Sequence, residues 1–323
     1  MSPRCLAVLA TVLLPLAAAP AASAQSNPWL GGPVLNIAHQ GGEDEFPTNT
    51  LYAFKKAVRA GADMIELDVG VTKDGEIIVM HDTTVDRITN GKGTVISKTL
   101  KQIRKLDGAY WYSKTEGHYD HDKAKRAYVF RGIATGKKQP PKGFKRKDFR
   151  VPTLLEVAMA FPTTPINIEI KGRTPEEGEE EYIANAEVLA AYLKGTSRKD
   201  IIVVSFKQKA VDRFHELAPD VSVSPGIEGL AGWAFNNTSP GEGVQTFDPP
   251  MTYKLGETLI DTTEYIARAH EEGYAWHSWF SGEDVDGPSG WTKLVEKCAD
   301  GIMTATPVKL EKFLKTHPRP AAC

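Results

Sequence analysis

Short β-branched runs alternate with longer helix-patterned stretches along almost the whole chain, and few folds accommodate that alternation. A parallel sheet with helical crossovers does, because each connection between parallel neighbours needs a dozen or more residues. The strand candidates are Val34–Ala38, Met64–Val71, Ile77–His81, Ile166–Lys171, Ile201–Phe206, Val221–Ser224, Tyr274–Ser278 and Gly301–Ala305. Eight such runs predict an α/β fold, a (β/α)8 barrel of the TIM type. Helical patterns fall at Thr50–Ala60, Leu154–Ala160, Glu180–Leu193, Gln208–Leu217, Thr262–Glu272 and Gly290–Lys297. Asn49 and Asp261 are the expected N-caps of the first and fifth, and Gly61 and Gly273 stand at expected stops. The barrel is slightly irregular, since only Thr72–Glu76, with Asp-Gly inside it, separates the second and third candidates. A loop of that size makes a hairpin, so either the pair is locally antiparallel or a barrel helix is lost.

Two stretches break the pattern. Tyr112–Arg150 is rich in Lys, Arg, Gly, Pro and Tyr without a sustained period, and reads as an insertion over one rim whose basic run Lys137–Lys147 is a solvated surface. Gly226–Lys254, with Gly226, Gly229 and Gly232 and then Pro249-Pro250, reads as irregular.

The amino terminus has the form of an export signal. Arg4 precedes an apolar run from Leu6 to about Ala19, followed by the small-x-small site Ala22-Ser23-Ala24. The run is shorter than the roughly 20 residues that span a bilayer, and Pro15 interrupts it. Residues 1–24 are therefore expected to leave a secreted domain over 25–323, without a membrane anchor; Cys5 precedes the apolar run and cannot accept a lipid at the cleavage point. The remaining chain carries 38 Lys and Arg against 41 Asp and Glu, a balance that gives no electrostatic case for nucleic acid or an anionic membrane as partner. It keeps Cys298 and Cys323, which in an oxidising compartment either pair or stay as two free thiols.

The chemistry concentrates on two strands. In Ile65-Glu66-Leu67-Asp68-Val69 side chains alternate, so Glu66 and Asp68 share one face. In Asn167-Ile168-Glu169-Ile170-Lys171 the polar residues again share a face. Barrel strands are buried on both sides, so inward carboxylates repel and are costly to desolvate unless a cation lies between them. Three carboxylates with water form an oxygen site suited to Mg²⁺ or Ca²⁺. His39 and His81 end the first and third strand candidates, at the barrel end where active sites gather, and fit an acid/base pair. His118, His121, His215, His270 and His317 read as structural or surface residues, while His277 either lines the pocket or packs in the core.

These residues together resemble the glycerophosphodiester phosphodiesterase family. The motifs run along nearly the whole chain after the leader: Ile37-Ala38-His39-Gln40-Gly41, Asn49-Thr50-Leu51, Gly61-Ala62-Asp63, Glu66-Leu67-Asp68, Thr72-Lys73-Asp74-Gly75, His81-Asp82, Pro152-Thr153-Leu154, Ile168-Glu169-Ile170-Lys171 and Asp300-Gly301-Ile302. The resemblance implies metal-dependent hydrolysis of a small-molecule phosphodiester to an alcohol and glycerol 3-phosphate. It assigns Glu66, Asp68 and Glu169 to the metal, His39 and His81 to acid/base catalysis, and Lys171 to the phosphate. It further implies an inserted segment after the third strand, which 112–150 matches, and a neighbouring glycerol hydroxyl as nucleophile.

The chain departs from the family pattern at two positions. The family usually has His-Arg-Gly and Glu-Asn-Thr, where this chain has His39-Gln40-Gly41 and Thr48-Asn49-Thr50. Gln40 offers the substrate a neutral hydrogen bond in place of a charged fork, and the two changes are expected to form one compensated swap, since a buried glutamate without its arginine is costly. The acidic run Glu43-Asp44-Glu45 reads as a solvated loop or as an attraction for cationic head groups. Alternative functions are lysophospholipase D-like hydrolysis, with Trp233 and Phe235 cradling an acyl chain, a non-catalytic exported protein binding phosphorylated head groups, and a glycoside hydrolase using the paired carboxylates.

Overall fold

The computed structural model describes residues 27–115, 117–282 and 284–323; the expected leader at 1–24 lies outside them. Eleven strands are present among these residues: β1 Leu35–Ala38, β2 Met64–Val71, β3 Ile77–Val79, β4 Ile166–Ile170, β5 Ile201–Val204, β6 Ser222–Val223, β7 Thr246–Phe247, β8 Lys254–Leu255, β9 Thr258–Leu259, β10 Ala275–Ser278 and β11 Gly301–Thr304. Eight of them run parallel in the order β6-β5-β4-β2-β1-β11-β10-β7. The ring closes where Val223 bridges Val244, through Val223 N–H to the Gly243 carbonyl (3.0 Å) and Gln245 N–H to the Val223 carbonyl (3.1 Å). The fold is a (β/α)8 barrel.

The irregularity resolves as an antiparallel pair. β3 lies on β2 with Val69 opposite Val79 and Val71 opposite Ile77, and is off the barrel path. Thr72–Glu76 is too short for a crossover, and Gly75 takes the left-handed φ of +81° that its turn requires. The expectation that 77–81 forms a barrel strand is therefore corrected: β7 takes the eighth place. β7 lies inside 226–254, so that stretch is not irregular throughout. A helix over Ile227–Asn236 occupies it as well.

Helices α1 Leu51–Ala60, α3 Leu154–Ala160, α4 Glu179–Leu193, α5 Gln208–Leu217, α6 Ile227–Asn236, α7 Thr263–Glu271, α8 Pro288–Glu296 and α9 Pro307–Leu314 cover the barrel, and the short α2 spans Leu100–Ile103. The caps of α1 and α7 fall one residue later than expected: Thr50 accepts the Ala53 N–H and Thr262 the Tyr265 N–H. Asn49 and Asp261 serve elsewhere. Asn49 binds a site carboxylate, and Asp261 accepts from Trp276, Ser278 and Lys297. Gly226 at the N-cap of α6 and Gly229 and Gly232 within it permit close approach: a Cβ on Gly226 would lie 2.4 Å from the Gln208 backbone nitrogen, and one on Gly232 2.6 Å from the Thr238 hydroxyl. That packing outweighs their poor helix propensity.

Two apolar cores clothe the barrel, one joining β2, β4 and β5 to α4 and α5, the other joining β10 and β11 to α6 through α9. Ile37, Met64, Ile202, Ala275 and Met303 form a third cluster in the interior, so the barrel is filled beneath the site. The chain between β3 and β4 packs Tyr112, Phe130 and Phe149 against Phe46 and Tyr52 in a separate cluster. Lys137, Lys138, Lys142, Lys145, Arg146 and Lys147 are exposed on it. Cys298 and Cys323 form a disulfide, Cα to Cα 5.4 Å, that ties the tail to the turn after α8. Loop-closure entropy makes such a bridge worth about 3 kcal/mol. Among the described residues no helix is long and apolar enough to cross a membrane.

Candidate active site

Strand register brings the acidic side chains together. β2 pairs with β4 so that Glu66 lies beside Asn167 and Asp68 beside Glu169. One carboxylate oxygen from each of Glu66, Asp68 and Glu169 lies within 4.8 Å of the others. Burial, followed by the Asp68 charge, pushes the Glu66 carboxyl well above its usual range. Burial acts on Asp68 in the same direction, but Lys171, His81, His39 and a hydrogen bond from Asn49 (2.9 Å) hold it low. Asp68 Oδ1 is buried and takes no hydrogen bond, although the Lys171 ammonium lies 3.4 Å away. Three converging carboxylates, one with an orphaned oxygen, are a donor set that fits a hard dication.

Both histidines have a carboxylate behind the ring. β1 ends in a turn where His39 Nδ1 meets Glu43 Oε1 at 2.5 Å, and Nε2 lies 4.0 Å from Glu66. Burial works against the imidazolium, yet Glu43, Glu66 and Asp68 push the His39 pKa up to about 10. His81 Nδ1 meets Asp82 Oδ1 at 2.9 Å, and Arg87 grips Asp82 through two hydrogen bonds. Against its burial, the His81 and Arg87 bonds hold Asp82 well below the usual carboxylate range. Each ring is thus oriented through Nδ1 and keeps Nε2 for other work.

Gln40 and Thr48 are in direct contact. Gln40 sits in the left-handed region at φ 48°, its N–H donates to Glu66 Oε2 (2.7 Å), and its side-chain carbonyl accepts the Thr48 hydroxyl (2.5 Å). The Thr48 N–H in turn donates to the Tyr119 hydroxyl (2.6 Å), so the inserted segment braces the loop. Lys171 donates to Glu169 (2.7 Å), and burial notwithstanding, Glu169 and Asp68 raise its pKa.

His39, Glu66, His81, Glu169 and Lys171 all line one cavity of about 180 Å³. Other expectations are corrected. Glu43 is engaged by His39, Asp44 lies 3.4 Å from His118 and stays exposed, and Glu45 accepts the Val308 N–H, so the acidic run is only partly solvated, while Glu43 and Asp44 line a second cavity together with Asp284 and Asp286. Trp233 is buried in the core against Phe247 and Phe235 is exposed on α6, and neither lines the cavity. His277 packs inside the barrel, 3.7 Å from Asp248, and burial lowers its pKa; Gly301 is needed there, because a Cβ would lie 2.7 Å from the ring.

Sequence reasoning missed three residues of the site. In the sequence Asn49 reads as a helix cap, and Glu43 as loop charge or as an attraction for cationic head groups, not as a partner of His39. Trp279, whose ring stacks near His39 with centroids 6.4 Å apart, carried no signal at all. The dipeptide His81-Asp82 did contain its own pairing.

The model of the glycerophosphoryl diester phosphodiesterase family matches residues 39–309. The glycerophosphodiester phosphodiesterase of Bacillus subtilis is 32% identical over 191 residues, which are 58% of this chain and 57% of that protein. The enzyme of the same name from Caldanaerobacter subterraneus is 35% identical over 192 residues, 58% of this chain and 65% of its own length. Each match thus spans less than two thirds of the relative. Among solved structures, an Oleispira antarctica phosphodiesterase in complex with the product sn-glycerol-3-phosphate superposes with a TM-score of 0.60 at 20% identity, covering 86% of this chain and 96% of that one. A Thermotoga maritima glycerophosphodiester phosphodiesterase does so with a TM-score of 0.55 at 21% identity, over 87% and 98%. At such identities these structures speak to the fold.

Proposed function

The chain belongs to the glycerophosphoryl diester phosphodiesterase family, and from that membership we propose that it hydrolyses glycerophosphodiesters to an alcohol and glycerol 3-phosphate. The observation that carries the reading is the convergence of Glu66, Asp68 and Glu169 within 4.8 Å of one another, with Glu66 and Glu169 lining a cavity shared with His39, His81 and Lys171 and Asp68 buried behind it. Glu66, Asp68 and Glu169 would hold Mg²⁺ or Ca²⁺, which when bound polarises the phosphoryl group and offsets its charge. Lys171 and the Gln40 amide bind phosphate oxygens. Of His39 and His81, one takes the proton of the attacking glycerol hydroxyl and the other protonates the leaving alkoxide, each through the nitrogen that its carboxylate partner leaves free, and water then opens the resulting cyclic phosphate to glycerol 3-phosphate. Glu43 and Asp82 set the ring orientations.

Release of glycerol 3-phosphate from glycerophosphocholine and glycerophosphoglycerol, measured with Mg²⁺, with Ca²⁺ and with chelator, tests this. Turnover that survives full chelation would remove the metal from the scheme, and absence of turnover with both cations would remove the activity. We also propose export with cleavage after Ala24, leaving a single domain over 25–323 with residues 112–150 as its insertion; amino-terminal sequencing of secreted protein checks the cut.

A further inference from the structure

The near-balance of charge over the whole chain conceals how that charge is placed. Between Lys123 and Lys147 stand ten Lys and Arg and no Asp or Glu. Of the 38 bases that follow residue 24, the other 28 face 41 acids, so a strongly basic segment is mounted on an acidic body. Arg131 is engaged within the segment, its guanidinium lying over the rings of Tyr110 (4.2 Å), Trp111 (4.5 Å) and Tyr128 (3.9 Å). Most of the others occupy two limbs of one loop. Lys137 follows Gly136 on one limb, and Arg146 of the other comes so near that a Cβ on Gly136 would lie 2.8 Å from its guanidinium. Lys142, Lys145 and Lys147 flank Arg146 and are exposed, and Arg59 of α1 joins them over the Phe144 ring at 4.9 Å. The first acid after the run, Asp148, is buried and already holds Lys55 at 2.7 Å. Among the described residues, Lys137, Lys142, Lys145, Arg146 and Lys147 form no ion pair.

Like charges this close repel, and a loose loop relieves the repulsion by spreading them. This loop is framed instead. Phe144, Phe149 and Phe130 pack on Tyr52 with ring centroids 4.6, 4.5 and 5.0 Å away, and Lys138 donates to the Val129 carbonyl. Unpaired bases held together against their own repulsion are a local conflict of the kind found where a ligand resolves it. We propose that this face docks the protein, reversibly, on an anionic phospholipid bilayer. The bases cover an area and do not follow a track. The helices of the segment are single turns, Lys125–Ala127 and Arg146–Phe149, too short to enter a nucleic-acid groove. Phe144, capped by Arg59 and packed on Tyr52, offers no ring for a base to stack on. A bilayer requires neither, because mobile acidic lipids gather beneath a fixed set of cations, each of which strengthens attachment about fivefold. Among the described residues no large apolar side chain of 112–150 is exposed, so the attachment is electrostatic. It reaches no further than a Debye length, about 10 Å at 0.1 M salt. Docking of this kind is independent of what the barrel catalyses.

Sedimentation with lipid vesicles tests this, with secreted protein so that the apolar run at 6–19 does not itself engage lipid. Vesicles containing about one-third phosphatidylglycerol are expected to carry the protein down at about 0.05 M NaCl and to release it by about 0.5 M. Pure phosphatidylcholine vesicles should leave it in solution. Lys137→Gln, Lys142→Gln and Lys147→Gln combined are expected to weaken binding about a hundredfold. The same loss of charge elsewhere, by Lys194→Gln, Lys209→Gln and Lys254→Gln combined, should change it less than about threefold. Thermal midpoints verify that both variants fold, and single replacements, each about fivefold weaker at the loop, repeat the comparison where a triple variant does not. Absence of sedimentation with the acidic vesicles at low salt overturns the proposal, as does equal weakening in the two sets. Salt-sensitive retention on heparin or polyphosphate without vesicle binding overturns it too, and gives the face to a soluble polyanion.

Discussion

Two buried clusters of charged groups, one around the single carboxylate Asp300 and one of three carboxylates, lie at opposite ends of the barrel, and they are built by opposite rules. At the start of β11, Asp300 is 1% exposed and fully engaged: Oδ1 accepts from Gly31 N–H (3.1 Å) and Arg319 (2.8 Å), and Oδ2 from Trp276 N–H (2.9 Å) and His270 (2.7 Å). Burial works against its charge, but the His270 and backbone bonds outweigh it and the pKa is lowered. At the other end, Glu66, Asp68 and Glu169 crowd around Lys171, with an orphaned oxygen on Asp68 and a Glu66 carboxyl pushed up. A cluster that serves stability is balanced internally. A cluster left short of positive charge stores an affinity for a ligand that supplies it, the kind of local conflict expected at a functional site.

The contrast is open to direct attack, and the largest expected effect is catalytic. His39→Ala, His81→Ala and Glu169→Gln should each lower kcat for glycerophosphodiester hydrolysis by about 10²- to 10⁴-fold while the thermal midpoint stays near that of the unaltered protein. Near-normal turnover in any of the three removes that residue from the scheme. Asp300→Asn should do the reverse, costing about 3 kcal/mol of stability with turnover per folded molecule retained. Because the Asp300 pKa is lowered in the folded state, its contribution is complete above the unfolded value of about 3.9 and fades as pH falls through the folded one. The stability gap between the two proteins in urea titrations should therefore be constant near neutrality and shrink in acid; a gap that widens in acid contradicts the assignment.

Metal should distinguish the clusters on a smaller scale. At about a hundredfold excess over Kd, Mg²⁺ or Ca²⁺ should stabilise the protein by about 2.7 kcal/mol. Asp300→Asn should show the same increment and Glu169→Gln little of it, as calorimetry with and without chelator would reveal. An undiminished increment in Glu169→Gln places the ion elsewhere. The smallest effect concerns Gln40 and Thr48, whose side chains share a hydrogen bond. Gln40→Arg alone should cost about 1–3 kcal/mol because the buried Thr48 hydroxyl loses its acceptor and faces a guanidinium that it cannot pair, and adding Thr48→Glu should recover most of it. Equal stability of the single and double variants denies that the two positions act as one unit.

Much of this molecule could be read along the chain. Period-two alternation in 64–71 and 166–171 placed three carboxylates and Lys171 on inward faces, because a strand has only two faces. β7 was missed because Thr246 and Phe247 form only two residues of ladder, too few to leave a pattern. Helix α6 was missed because its glycines, needed for approach to Gln208, imitate a loop. Asn49 could not be separated from a cap, since Thr50 beside it has the same capping chemistry and the backbone decides which of the two serves.

What the residues determined without further help was periodicity: which side chains share a face, which runs can cross a barrel, and how many charges must face inward. Distance between strands was decided only on folding. The register that sets Asp68 beside Glu169 and the wall that Trp279 and Ile227 raise beside the carboxylates join segments separated by tens to more than two hundred positions. Local preference acts over a few residues, whereas closure of the sheet sets all these distances together.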